Sequence, residues 1–430
     1  MSLDVVVGLQ RGDEGKGRFV DSVAGEYAIV ARGNGGANAG HTVVPEGLEP
    51  LALHQVPSGI AYPDKLNVIG GGVYLDPRLL VSEIGYIRKA GLQVSAKNLA
   101  VSSTAQLVMP HHVGFDALRE GGDKPQGSTK TGIAYVASDK YLRQGVRLES
   151  IVTPKVLMEL AIEGLVRLNE QLPAGDRRTR SEMEAEARAW VEAAESLGEY
   201  MAETVEIIND SLGAGKKVLA EGAQGYWLDI NNGMYPAVTS SSTTVAGLLD
   251  GLGVSAKHLG KVTGVAKAVK SHVGGGPMVT EIEDKALEDR IRGPLGQTDS
   301  EYGATTKRPR RIGYPDLVEL RNAVRGDGVD EVAFSKLDHV PRYGEELKVA
   351  ISYTYEGAEH TTAPASAAAL EACRPNYRKC VNWSEDISSI RDYGELPAAA
   401  RDFVELFESE LGVPITRIGV GPGRDQIIHK

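Results

Sequence analysis

Near the start of the chain, Gly8-Leu9-Gln10-Arg11-Gly12-Asp13-Glu14-Gly15-Lys16-Gly17 carries the strongest indication of the fold. A short β-branched run, Val5 to Val7, precedes it, and a segment of helical character, Gly17 to Glu26, follows it. A strand, a glycine-rich loop and a helix in that order begin a nucleotide-binding α/β unit. The glycines let backbone N–H groups turn toward an anion, and Lys16 adds a positive charge. The strict phosphate-loop pattern is not met, because Gly17 stands where Ser or Thr should follow the lysine.

Three further apolar runs end in glycine-rich loops: Ala28 to Ala31, Val218 to Ala220, and Val262 to Val269. In open α/β sheets, ligands bind at the carboxyl ends of the strands, where such loops gather. The segment from Glu182 to Leu212 has helical spacing. We therefore predict an α/β protein with a large mixed, mostly parallel sheet and helices on both faces, similar to the P-loop NTPases. Because no repeat or low-complexity linker interrupts the chain, we expect residues 1–430 to form a single domain.

The amino-acid composition argues against several classes of protein. The 430 residues are 42% apolar and 24% charged, and their net charge is -11. This acidity argues against a general nucleic-acid binder, which needs a basic face. Two cysteines, Cys373 and Cys380, are too few for a disulfide framework and favour reduced thiols in the cytoplasm. The N-terminus lacks signal-peptide character, and no apolar run approaches the ~18 residues of a membrane span. We therefore expect a cytoplasmic protein that contacts neither membrane nor nucleic acid.

Two residues in the glycine-rich loops suggest catalysis. Asp13 lies inside an anion-binding loop, where a carboxylate would repel phosphate unless it holds a metal or acts as a base. His41 follows the loop Gly33–Gly40 and could donate a proton, although a lone histidine is more often structural.

Two later segments suggest ligand recognition. Thr305 to Arg311 is the densest basic run, and its guanidinium groups suit carboxylate and phosphate, although a solvated turn is the alternative. Lys336-Leu337-Asp338 is similar to the lysine–aspartate pair with which many GTP-binding proteins read guanine. In those proteins the carboxylate accepts hydrogen bonds from the N1 and N2 protons of guanine, while the aliphatic stem of the lysine side chain packs on the ring.

In this order, the segments resemble those of the adenylosuccinate synthetase family. The resemblance extends from the phosphate-binding loop to Gly421-Pro422-Gly423-Arg424. Between these ends lie Asn38-Ala39-Gly40-His41-Thr42, Pro57-Ser58-Gly59, Gly127-Ser128-Thr129, Asp139-Lys140, Glu221-Gly222-Ala223-Gln224-Gly225, Tyr235-Pro236, Val238-Thr239-Ser240-Ser241, Tyr302-Gly303-Ala304-Thr305-Thr306 and Lys336-Leu337-Asp338.

The resemblance implies a carbon–nitrogen ligase of AMP biosynthesis. It would form adenylosuccinate from IMP and L-aspartate while GTP is hydrolysed to GDP and phosphate, through a 6-phosphoryl-IMP intermediate. Asp13 would remove the N1 proton of IMP, His41 would be the general acid, and Lys16 and Gln224 would complete the catalytic set. Mg²⁺ is the implied cofactor, with Asp13 and the Gly40 carbonyl as ligands.

The same resemblance implies three binding sets. The IMP set is Asp13, Asn38, Thr129, Arg143, Gln224, Thr239, Val273 and Arg308. The aspartate set is Ala304, Thr305, Thr306, Lys307 and Arg308. The GTP set is Gly12, Glu14, Gly15, Lys16, Gly17, Gly40, His41, Thr42, Arg310, Lys336, Asp338, Gly419 and Gly421. The family also implies a homodimer in which Arg143 reaches the neighbouring active site.

The sequence departs from the family pattern at several pocket positions. Arg11 replaces an aromatic residue and Ala37 a histidine; Lys130-Thr131 replaces Gly-Arg beside the substrate phosphate, Lys307 a glycine, and Gly419-Val420 a Ser-Thr pair. One alternative is therefore a related ligase that uses another purine nucleotide or an aspartate analogue. The other is a non-catalytic nucleotide-binding regulator. The presence of both Asp13 and His41 favours an enzyme, because a binding module needs neither a base nor an acid.

Overall fold

The computed structural model describes residues 2–45, 47–123, 127–297, 300–303 and 307–430. The strands are β1 (Leu3–Gly8), β2 (Ile29–Arg32), β3 (His41–Val43), β4 (Leu51–Leu53), β5 (Leu66–Ile69), β6 (Tyr74–Leu75), β7 (Leu99–Ser102), β8 (Gln106–Leu107), β9 (Met201–Ala202), β10 (Val218–Glu221), β11 (Leu259–Lys267), β12 (Lys270–His272), β13 (Arg311–Gly313), β14 (Glu331–Ser335), β15 (Lys348–Tyr355), β16 (Ala358–His360), β17 (Arg374–Lys379), β18 (Ile415–Gly419) and β19 (Ile427–His429). The helices are α1 (Lys16–Val23), α2 (Pro77–Lys89), α3 (Pro110–Glu120), α4 (Ile133–Leu142), α5 (Pro154–Gln171), α6 (Arg180–Ser196), α7 (Thr204–Gly213), α8 (Val245–Leu252), α9 (Lys285–Arg292), α10 (Leu317–Asp327), α11 (Ala367–Ala372) and α12 (Ala398–Leu411).

Ten strands form one sheet in the order β19-β18-β14-β11-β1-β10-β2-β5-β7-β9. Every neighbouring pair is parallel except β18 and β19, which are antiparallel. The predicted mostly parallel sheet is therefore confirmed. The four predicted strands correspond to β1, β2, β10 and β11.

Helices cover both faces of this sheet. Successive side chains of a strand point to opposite faces, and β1 shows the result. Val5 and Val7 belong to a core that includes residues of α8, α10 and α12, whereas Val6 packs in a second core with Phe19 and Val20 of α1. Burial on both faces explains why the central strands are continuously apolar rather than alternating.

The helical segment predicted from Glu182 to Leu212 is two helices rather than one. α6 ends at Ser196, a turn of 3₁₀-helix follows at Leu197–Tyr200, and β9 then pairs with β7 before α7 begins. Gly198 lies in this turn, and glycine weakens a continuous helix. The pairing of β9 with the edge of the sheet therefore interrupts the helix that the hydrophobic periodicity predicts for this segment.

Two sequence-based expectations concern membranes and thiols. Within the described ranges, no helix combines the length and apolarity that a membrane crossing requires. Cys373 and Cys380 both carry free thiols.

Candidate active site

The glycine-rich loops meet at one edge of the sheet, as expected for the carboxyl ends of parallel strands. The loops after β1, β2 and β10 line a cleft of about 280 Å³, together with residues 127–129 and 273–275. The cleft brings together these predicted site residues: Gly12, Asp13, Gly15, Lys16, Gly17, Asn38, Gly40, His41, Thr42, Thr129, Gln224, Thr239, Val273 and Arg308.

The buried side chain of Glu14 stabilises the phosphate-binding loop. Its buried carboxylate accepts hydrogen bonds from the N–H groups of Gln10 at 3.1 Å and Gly12 at 2.9 Å. It also pairs with the ammonium of Lys16 at 2.5 Å. The Glu14 side chain, predicted to be in the GTP set, does not line the cleft. It instead fixes the shape of the loop and the position of the lysine.

The structure explains the missing hydroxyl residue at position 17. A Cβ atom there would lie 2.7 Å from the Cβ of His41 and 3.0 Å from the Oγ of Ser58. Carbon atoms do not approach so closely without displacement, so neither Ser nor Thr fits. Gly17 therefore lets α1 pack directly against β3, which begins with His41.

His41 is oriented by Glu221, the last residue of β10. The Nδ1 atom of His41 is hydrogen-bonded to Glu221, whose carboxylate also accepts from the N–H and Oγ of Ser58, both at 2.7 Å. Burial lowers the pKa of His41, and the Glu221 charge partly opposes this. Burial would raise the pKa of Glu221, but His41, Arg32 and Ser58 outweigh it and bring the pKa to about 2. The arrangement holds an ionised carboxylate behind a neutral imidazole, whose Nε2 is left for a ligand.

Asp13 is fixed by an arginine from the basic run. Its Oδ2 lies 3.0 Å from Nε of Arg310, and its backbone φ is 60°, in the left-handed region. Arg310 is buried and also pairs with Glu301 at 2.7 Å. Arg310 was predicted to contact the triphosphate, but it lies behind Asp13 rather than in the lining of the cleft.

Unsatisfied amides mark the end of the cleft predicted for the monophosphate. Gln224 is buried at a φ of 58°, and among the described residues neither atom of its amide has a hydrogen-bond partner. The Nδ2 of Asn38 donates to Thr239 Oγ1 at 3.2 Å, while its buried Oδ1 has no partner in the described part of the chain. Leaving a buried polar group unsatisfied costs ~1–3 kcal/mol. Such groups in a cleft indicate a polar ligand.

Thr129 lies on a turn that Asp116 organises. The Oδ2 of Asp116 accepts from Ser128 Oγ at 2.8 Å and from the N–H of Gly132 at 2.9 Å. Lys130, one of the departures from the family, has a φ of 59°. Lys130 therefore has a backbone conformation that favours glycine.

The residues predicted to read guanine lie next to the phosphate-binding loop but outside the lining of the cleft. Ser335, at the end of β14, donates its hydroxyl hydrogen to the backbone oxygen of Glu14 at 2.7 Å. Lys336 follows with a φ of 61°, and its ammonium pairs with Glu301 at 2.5 Å. Asp338 lies one turn further, in the 3₁₀-helix Leu337–Glu346.

Gly419 and Gly421, which were predicted to belong to the GTP set, do not line the cleft. Gly419 lies close to Ser335, beside the proposed guanine site. A Cβ atom at Gly419 would lie 2.9 Å from Nη1 of Arg18 and 3.4 Å from Cα of Ser335. A Cβ atom at Gly421 would lie 2.4 Å from the Gln426 side chain. The glycines therefore make room for neighbouring side chains.

Only part of the predicted aspartate set can be placed. Ala304, Thr305 and Thr306 lie outside the described residues. Arg308 lines the cleft, whereas Lys307 does not and is exposed with a φ of 53°.

Arg143 does not reach the cleft of its own chain. It follows α4 in a left-handed conformation, with a φ of 61°, and is exposed. The two preceding residues are large and apolar, and Tyr141 and Leu142 are 79% and 60% exposed.

Arg11 replaces the usual aromatic residue with a buried ion pair. Its guanidinium contacts Glu319 at 2.7 Å and His272 Nε2 at 3.1 Å. The contact with His272 is a hydrogen bond from the arginine, so the imidazole is neutral with its proton on Nδ1. Ala37, the other change near this loop, is buried.

Asp13 and Gly40, which the sequence predicts as magnesium ligands, line the same cleft. A second group, His111, His112 and Asp139, has suitable spacing for a metal. There His112 Nδ1 accepts the N–H of Met109, so its Nε2 carries the proton that it donates to Asp139 at 3.0 Å. A protonated nitrogen cannot bind a metal, so His112 in this state is a hydrogen-bond partner of Asp139 rather than a metal ligand.

Comparison with known proteins agrees with the motifs. A family model described as adenylosuccinate synthetase matches residues 5–428. The chain is 40% identical to the adenylosuccinate synthetase of Caldicellulosiruptor bescii over 428 residues, which covers 99% of this chain and 98% of the relative. It is 41% identical to that of Trichlorobacter lovleyi over 425 residues, which covers 98% and 97% of the two chains.

Solved structures show the same likeness. Fully ligated adenylosuccinate synthetase from Plasmodium falciparum matches with a TM-score of 0.90 at 32% identity, over 100% of both chains. The succinoaminodeoxyadenylate synthetase of cyanophage S-2L matches with a TM-score of 0.56 at 19% identity, over 100% of this chain and 95% of the other. This second likeness concerns the fold alone.

Proposed function

Because this chain belongs to the adenylosuccinate synthetase family, we propose that its cleft joins IMP to L-aspartate while GTP is hydrolysed to GDP and phosphate. The observation that carries the proposal is that Asp13 and His41 line one cleft, each fixed by a buried ionic partner. A base and an acid held in this way are what proton transfer at a fixed substrate requires. The product is adenylosuccinate, an intermediate of AMP biosynthesis.

Asp13 begins the reaction by taking the N1 proton of IMP. The O6 atom becomes the nucleophile and attacks the γ-phosphorus of GTP, and GDP leaves. The amine of aspartate then attacks C6 of the 6-phosphoryl-IMP, the C6–O bond breaks, and phosphate is released. His41 donates from Nε2 toward the transferred phosphoryl group, and Lys16 balances phosphate charge. Anionic phosphates would raise the pKa of His41, which favours its protonation when GTP is bound.

Gln224 and Asn38 supply the amide groups that meet IMP, which would satisfy their buried polar atoms. Thr129, Thr239 and the Val273 backbone complete this end of the cleft. Mg²⁺, held by Asp13 and the Gly40 carbonyl, would neutralise charge on the transferred phosphoryl group.

Asp338 recognises guanine, because its carboxylate accepts hydrogen bonds from the N1–H group and the N2 amino group of the base. The aliphatic part of the Lys336 side chain packs on the ring. Aspartate is bound by the loop Ala304 to Arg308, of which Arg308 lines the cleft. Guanidinium suits a carboxylate because it donates two parallel hydrogen bonds.

The active unit is a homodimer in which Arg143 contacts the phosphate of IMP in the neighbouring subunit. The position of Arg143 outside its own cleft supports this proposal. Exposed Tyr141 and Leu142 beside it are apolar surface of the kind that an interface covers. A cytoplasmic location is proposed from the free thiols Cys373 and Cys380.

The test is an absorbance assay of purine conversion with IMP, L-aspartate and GTP, followed by replacement of each component in turn. Turnover that requires all three supports the proposal. Turnover only with another purine nucleotide or an aspartate analogue would refute the substrate assignment, and binding without any turnover would refute the activity.

A further inference from the structure

Glu301 joins three parts of the protein through one buried carboxylate. It is 0% exposed, and its oxygens contact Lys336 Nζ at 2.5 Å, Arg310 Nη1 at 2.7 Å and Ser271 Oγ at 2.5 Å. Burial alone would raise its pKa, but Lys336, Arg310 and Lys267 outweigh this and hold the pKa well below its ordinary value. Glu301 is therefore an anion that these cations stabilise.

One of these contacts, that with Arg310, lies at the base of the proposed aspartate loop. Glu301 and Arg310 are joined by their backbones, since the N–H of Arg310 donates to the carbonyl of Glu301 at 3.0 Å. One step further along, the N–H of Gly303 donates to the carbonyl of Arg308 at 2.9 Å. Residues 301–303 and 308–310 thus form a closed stem, and Arg310 reaches Asp13 at 3.0 Å.

The contact with Lys336 leads to the proposed guanine site, which lies next to the phosphate-binding loop. Lys336 follows β14, beside the phosphate-binding loop, and its ammonium position fixes the direction of its aliphatic stem. A base that packs on this stem therefore acts on the ammonium that Glu301 holds. Because Glu301 shares its charge between Lys336 and Arg310, a change at Lys336 alters the hold on the loop stem.

We propose that Glu301 is a positioning residue through which guanine recognition and aspartate binding strengthen each other. The inference rests on the proposed function. Coupling between two binding sites is reciprocal and typically amounts to ~5–150-fold in affinity. Glu301 does not line the cleft, so its effect on either substrate passes through Lys336 and the loop stem.

The test is a double-mutant cycle on the KM for aspartate, measured at saturating IMP and GTP. We expect Lys336→Met to raise this KM at least ~5-fold, although Lys336 belongs to the guanine site. Glu301→Gln should raise it similarly and should also reduce the preference for GTP over ITP. In the double variant the effects should not multiply, because both changes break the same link.

Glu331→Gln is a matched control. Glu331 is also a buried carboxylate that holds a lysine, an arginine and a hydroxyl, namely Lys261 at 3.2 Å, Arg417 at 2.8 Å and Thr263 at 2.9 Å. It lies at the opposite end of β14 from Lys336, so its variant should keep the wild-type KM for aspartate.

Absence of turnover by the wild-type protein would refute the proposed function. The coupling alone is refuted if the wild type turns over but Lys336→Met leaves the aspartate KM within about twofold, or if the two effects multiply. Should Glu301→Gln fail to fold, as judged by circular dichroism, the Lys336→Met measurement still decides.

Discussion

Replacement of Glu221 by Gln tests the proposed acid. The substitution keeps the size of the side chain but removes the charge behind His41, and its amide must meet either the imidazole or the N–H of Ser58. The pKa of about 2, below the ordinary value, shows that the folded protein stabilises the ionised carboxylate. This stability is present above pH ~4.5 and is lost as the pH falls toward 2.

Only part of that stabilisation acts on catalysis. A hydrogen bond to a charged group contributes ~1.5–3 kcal/mol and a neutral one ~0.5–1.5 kcal/mol, so the difference is about 1–2 kcal/mol. If His41 is protonated in the transition state, Glu221→Gln should lower kcat by ~5–30-fold while the KM for IMP changes little.

Steady-state kinetics with IMP, L-aspartate and GTP would measure this effect. Glu83→Gln is the control, since Glu83 is another buried glutamate, which accepts the N–H groups of His54, Gln55 and Val56 outside the cleft. It should lose thermal stability but keep kcat. A folded Glu221→Gln protein with kcat within about threefold of wild type would show that the charge of Glu221 does not assist proton donation by His41.

Four further substitutions test other parts of the site. Asp13→Ala should lower kcat by at least ~10²-fold without loss of fold, and retention of a tenth of wild-type kcat would exclude it as the base. Inactive Arg143→Leu and Asp13→Ala subunits, when mixed, should recover about a quarter of wild-type activity through hybrid dimers, and no recovery after confirmed exchange would remove Arg143 from the neighbouring site. Asp338→Asn should abolish the preference for GTP over ATP in kcat/KM, and equal use of both by the unmutated protein would contradict the guanine assignment. Gly17→Ser restores the strict phosphate-loop pattern, yet its Cβ would overlap His41, and we expect a loss of ~1–3 kcal/mol in the free energy of unfolding; an unchanged free energy of unfolding in urea denaturation would refute that contact.

The strand ends followed from the sequence because their signals are local, whereas most cleft residues were implied by the family resemblance. A β-branched run before glycine marks the end of a buried strand, and parallel strands place such ends together. The partners of the catalytic residues carried no such signal. Glu221 is 180 positions from His41, and Arg310 is 297 positions from Asp13, so only the folded sheet pairs them. Glu221 stood in a quoted motif, where a carboxylate directly after a buried strand was the available clue. The single-domain organisation stays a prediction.

The lysines at positions 130 and 307 bear on how this active site can change over time. Both occupy backbone conformations suited to glycine, with φ of 59° and 53°. A left-handed conformation costs a non-glycine residue roughly 1–2 kcal/mol, against a typical total stability of 5–15 kcal/mol. Each lysine therefore adds a backbone strain that a glycine at the same position would not have. The positive charges at these two positions thus come at a cost in the stability of the protein, which limits how many such changes it can accumulate.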